Sequence, residues 1–154
     1  MEATVLCLML LQGLYTDSPS YNRKVDKMVY DRLAVCVEIS EESERQGVDP
    51  ALAMAVGWHE SRLRRTIRSH AGAIGPMQVL PRHWCSEYDE HNCNTIEAGV
   101  RALKTYVNKY ELDEALCRYN AGNIGCESRR ARRYSRVVRE TYKRLEFFQG
   151  LLFS

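Results

Sequence analysis

Helical spacing of apolar residues most limits the folds open to this chain. Val29, Leu33, Cys36, Val37 and Ser40 hold one face of a stretch running from Val25 to Gln46. Ile96, Val100, Leu103, Val107 and Tyr110 repeat the pattern, as do Tyr134, Val137, Val138, Thr141, Leu145 and Phe148 near the end. Residues three and four apart share a helix face, whereas a strand changes face at every residue. No convincing strand run and no internal repeat stands out. The pattern predicts a mainly α protein of about six helices, and 154 residues suit one domain with a real core.

Stop and start signals bracket these stretches. Gly47 ends the first, and Asp49 caps the next helix, with Pro50 at its first position, where the missing N–H costs nothing. Asn94 with Glu97 three residues on forms a capping box. Asp113 is expected to cap a short helix through Tyr119, stopped near Gly122, and Glu127 or Ser128 to begin the last one. Residues 3–14 are apolar almost all round. Glu2 stands where an export signal has a basic start, and no Ala-x-Ala site follows. The run is also short for a bilayer span, so a helix packed on the domain is the first reading and an uncleaved anchor the second. Thr16 to Asn22 reads as a linker, which divides the chain into 1–22 and a domain over 23–154.

One residue breaks the apolar logic. Leu52, Val56 and Glu60 lie four apart and stack in one row, so a carboxylate occupies a place meant for an apolar side chain. Burial and the negative end of the helix dipole both disfavour its charge and raise its pKa, as a general acid near neutral pH requires. The loop that follows, Ser69 to Gln78, holds two glycines and one proline, suited to close approach of a ligand.

His59-Glu60-Ser61, then Ser69-His-Ala-Gly-Ala-Ile-Gly-Pro-Met-Gln78, then Tyr119-Asn120-Ala121-Gly122 stand in order along the chain. Together they resemble the soluble lytic transglycosylase family, over roughly Val48 to Tyr142. The resemblance implies a goose-type-lysozyme-like fold around a glycan-binding cleft, acting on peptidoglycan strands without metal or cofactor. It implies that Glu60 protonates the bond between N-acetylmuramic acid and N-acetylglucosamine and then deprotonates the C6 hydroxyl, closing a 1,6-anhydro ring. A hydrolase on the same fold, or a catalytically silent glycan-binding or virion module, is the alternative. Ser61, Met77, Gln78, Tyr119 and Asn120 match the family's substrate-binding positions, and Tyr134 resembles its late-helix tyrosine. Asn94-Thr95-Ile96 departs from the usual Asn-Ile, and Pro76 replaces the usual leucine. His59 receives no role. Glycosidases generally use two carboxylates, and Glu87, Asp89 and Glu90 are the nearest further acids in sequence.

Charge and cysteines bound the surroundings. The formal charge of +2 is unremarkable, but nine basic residues from Arg118 to Arg144 face only Glu127 and Glu140 in that span. A solvated helical face, attraction to an anionic envelope surface and nucleic-acid binding are the readings; no nucleic-acid partner is expected. Arg62, Arg64, Arg65 and Arg68 read first as charge complementing a helix end. Six cysteines suggest an oxidising compartment, with Cys85–Cys93 and Cys117–Cys126 as local disulfides and Cys7 and Cys36 unpaired. His83, Cys85, His91 and Cys93 offer a rival zinc set that would use the same thiols. Walker, dinucleotide and Ser-His-Asp signatures are absent. The expected location is the bacterial envelope or a virion, with the apolar termini meeting envelope or virion proteins or a membrane.

Overall fold

The computed structural model describes residues 2–16, 23–86 and 91–153. The elements in order are α1 (Glu2–Thr16), α2 (Arg23–Gln46), α3 (Pro50–Ser61), α4 (Pro81–Trp84), α5 (Thr95–Val107), α6 (Leu112–Ala121), a 3-10 segment (Gly122–Glu127) and α7 (Arg129–Phe153). Among the described residues α4 is a single turn, and the other six helices match the expected number. There is no strand among them. Isolated bridges from Ile74 to Arg68 and to Val79 shape the glycine loop instead.

The fold is built around α3. Ala51 through Gly57 are all buried, because this helix is apolar on every side and packs against α1, α2 and α7. Asp49 accepts a hydrogen bond from Ala51 N at 2.9 Å and a second from Tyr142 Oη at 2.7 Å, so the cap also ties α3 to α7. Ile39, Met54, Val56, Leu103, Leu116 and Val138 are fully buried around it. Each such side chain contributes roughly 1.5–3 kcal/mol of burial. At the other end Arg62 takes a left-handed conformation, and its N–H bonds Trp58 O at 2.9 Å.

The remaining ends follow the sequence signals with one exception. Gly47 has φ of 74° and closes α2, Asn94 Oδ1 accepts from Glu97 N, and Ser128 Oγ accepts from Ala131 N to cap α7. The exception is α6, which begins after Glu111 without a side-chain cap. Asp113 lies inside it and serves across helices, accepting from Arg139 Nη1 at 2.7 Å on α7.

Three disulfides form: Cys85–Cys93, Cys117–Cys126 and Cys7–Cys36. The last corrects the expectation that Cys7 and Cys36 are unpaired. Both sulfurs lie in the core, where α1 packs on α2, so residues distant in sequence meet through the fold. Leu6, Leu10 and Leu11 are buried beside this bridge, which makes α1 a helix packed on the rest. The linker expected over Thr16–Asn22 lies, apart from Thr16, outside the described residues.

Candidate active site

The last turn of α3 delivers Glu60 to the wall of a cleft of about 630 Å³. The glycine loop, α4, α5, α6 and the start of α7 supply the other walls. Glu60 is the only carboxylate lining it among the described residues; Glu87, Asp89 and Glu90 lie outside them. Desolvation by the surrounding protein raises its pKa from an ordinary 4.5 to about 7. The Tyr134 hydroxyl and the Arg130 guanidinium favour the carboxylate and oppose that rise without cancelling it. A pKa so near neutral suits the group both to give and to accept a proton.

Two tyrosines stand beside the acid. Tyr134 Oη is buried next to the carboxyl and is the hydroxyl that favours its charged form. Tyr119 Oη donates to Met77 O at 2.7 Å, which ties α6 to the glycine loop. Burial and the nearby Glu60 charge hold both phenols well above their usual pKa, so both stay protonated.

The loop is held by its own backbone. Ile74 and Val79 exchange hydrogen bonds at 2.9 and 3.1 Å, and Gly75 N donates to Ile67 O at 3.0 Å. Gly75 has φ of 77°, and a Cβ there would lie 2.4 Å from Thr95 Oγ1, so only glycine fits. That contact places Thr95 against the loop, while Asn94 caps α5. Gln78 lines the cleft in a left-handed conformation, φ 52°, with Nε2 donating to Gly75 O at 2.9 Å. Tyr119 and Asn120 line the cleft at the end of α6.

Ser61 and Met77 sit elsewhere. Ser61 is buried, donates to Pro76 O at 2.7 Å and accepts from Arg64 N, fastening the loop to the end of α3. Met77 is wholly buried and packs on Gly99, so its side chain supports the loop from the core and does not face the cleft. His59 also points away, bonding Thr141 Oγ1 at 2.7 Å. Burial and the charges of Arg62 and Arg144 lower its pKa to about 4 and keep it neutral.

The sequence patterns alone did not single out one wall. Trp84, Tyr106 and Tyr119 form a row of edge-to-face rings, with centroids 6.0 and 6.5 Å apart. Arg101 donates to Trp84 O and fixes α4 on α5, and the Cys85–Cys93 bridge closes the same segment. A tryptophan beside a cysteine in a loop was the available signal. Half-buried rings lining a cleft suit the apolar faces of sugars. Arg82, His83 and Arg130 add cationic and polar groups to the rim. The bridge consumes the thiols that the zinc reading needed. Of the earlier arginine run, Arg62 lies over Trp58, Arg64 Nε bonds Ser61 O, and Arg65 pairs with Glu38; none of the run lines the cleft.

An acid at a helix end, a glycine loop docked on it and a row of aromatic rings thus line one cleft. The family model of the transglycosylase SLT domain matches residues 38–141. The chain belongs to the transglycosylase SLT family. Its fold is accordingly the lysozyme-like all-α fold, and the family's general activity is cleavage of peptidoglycan glycans. No solved structure matches the chain. The matched span of this SLT domain contains α3, the glycine loop, α5, α6 and the part of α7 that carries Tyr134.

Proposed function

We propose that the protein is a lytic transglycosylase that cleaves the β-1,4 bond between N-acetylmuramic acid and N-acetylglucosamine and leaves a 1,6-anhydro end. The observation that carries this reading is that, among the described residues, a single carboxylate lines the cleft, with a pKa of about 7. Neutral Glu60 gives its proton to the glycosidic oxygen as the C1–O bond breaks, and the substrate's own acetamido group steadies the positive centre at C1. The carboxylate then removes the C6 hydroxyl proton as O6 bonds to C1, which regenerates neutral Glu60. No water is consumed, and one residue serves as acid and then base. Tyr134, whose buried hydroxyl lies beside the acid, donates to Glu60 while it is ionised; the lowering of the Glu60 pKa by this hydroxyl supports that role.

Asn120 presents an amide and Gln78, whose N–H donors are held by Gly75 O and Ile67 O, its amide oxygen for the N-acetyl groups, and the Trp84–Tyr106–Tyr119 wall packs on the sugar rings. Three disulfides support export to an oxidising compartment, at the bacterial envelope or on a virion. Digestion of purified peptidoglycan followed by mass spectrometry tests the reading. Anhydro ends, lighter by one water than reducing ends, are expected; reducing ends alone would make the enzyme a hydrolase.

A further inference from the structure

One side of α7 is basic for most of its length and apolar at its end. Arg129, Arg133, Arg136, Lys143 and Arg144 are exposed along it, interrupted by Glu140; steps of three, four and seven residues return to one helix side. Among the described residues none of these five closes an ion pair, whereas Arg118 and Arg139 do, with Glu114 and Asp113. Phe147 and Leu151 continue the same side and are 64% and 60% exposed. Leu152 adds to the apolar end. α1 packs on α7, with Gln149 Nε2 donating to Glu2 Oε1 at 2.7 Å, and presents an exposed Leu8.

We infer that this side of α7 docks on an anionic phospholipid bilayer. The apolar end enters the boundary between headgroups and acyl chains, and Lys143 and Arg144, one turn back, meet the phosphates. Charge and apolarity together select this occupant. An anionic wall polymer answers the arginines but offers no apolar phase to Phe147 and Leu151. A second copy in a two-fold contact would set like charges against each other. No described helix is long and apolar enough to cross a membrane, so the attachment is at the surface.

The geometry leaves the cleft free. Arg130, on the cleft rim, and Leu151 are 21 residues apart on one helix, which at 1.5 Å per residue separates them by about 30 Å. Docking through the end of α7, from Lys143 to Leu152, therefore holds the protein at a membrane while the cleft stays open to glycan. The inference does not depend on which product the cleft chemistry makes.

Sedimentation of the full chain with vesicles tests it. Vesicles of phosphatidylcholine with phosphatidylglycerol should bind at least about tenfold more tightly than phosphatidylcholine alone, and added salt should weaken the binding. Phe147→Ser with Leu151→Ser should lower binding at least about tenfold while cleavage of soluble glycan fragments is unchanged. Arg136→Glu with Lys143→Glu should abolish the preference for anionic lipid and provides the second check on the same surface. Equal binding to both vesicle types, or wild-type binding by the two variants, would overturn the proposal. So would a concentration-dependent dimer, lost in the Phe147 and Leu151 variant, from a chain that ignores vesicles.

Discussion

At Glu60 burial raises the pKa while Tyr134 and Arg130 pull it back, and the balance near 7 sets two pH dependences. Activity should fall as pH rises through about 7, because the acid must start protonated. Tyr134→Phe removes a hydroxyl that favours the carboxylate, so the alkaline limb of the pH–rate profile should move upward; a tyrosine that only fills space would leave it in place. Stability follows the same group. Its folded pKa lies above the ordinary value, so its favourable contribution is complete below about 4.5 and is lost as pH rises through about 7. Glu60→Gln should therefore stabilise the fold at pH 8 by roughly 1–3 kcal/mol relative to wild type, and much less at pH 4. Thermal unfolding at the two pH values measures the difference. Glu60 was legible because a carboxylate broke an apolar row. Arg130 and Tyr106 were not, because a single basic or aromatic residue on a helix carries no sign of which cavity it faces.

Among the elements, the glycine loop depends on what lies beneath it. A Cβ on Gly99 of α5 would stand 2.5 Å from Met77 Cβ and 2.8 Å from its Sδ. Gly99→Ala should destabilise the protein by about 1–3 kcal/mol in denaturant unfolding, and it should displace Gln78 and weaken glycan binding. Unchanged unfolding would mean that the contact between α5 and the loop is slack. Helix ends were legible where a side chain meets its own helix, as at Asp49, Asn94 and Ser128. Asp113 misled because its carboxylate is engaged by Arg139 from another helix, and local spacing contains nothing about that contact. Met77 misled for a similar reason: the motif fixes its place in the chain, while packing on Gly99 turns its side chain inward.

Across the whole molecule, Cys7–Cys36 joins α1 to α2, while the other two bridges staple local segments by the cleft. Labelling of denatured, unreduced protein should find no free thiol, and Cys7→Ser with Cys36→Ser should cost about 2–4 kcal/mol. Detection of two reactive thiols would contradict the bridge. Spacing revealed the short-range pairs alone, since a bridge spanning 29 residues depends on how helices stack. The helical class was legible throughout, because amphipathic periodicity is local; the cleft's full outline was not, because five separate segments and a disulfide assemble it. All of these parts converge on one proton. The most direct measurement is the rate at which Glu60→Gln, folded and still able to bind glycan, digests purified peptidoglycan. A loss of at least roughly a hundredfold against wild type is expected. Digestion at the wild-type rate with the same anhydro products would contradict it.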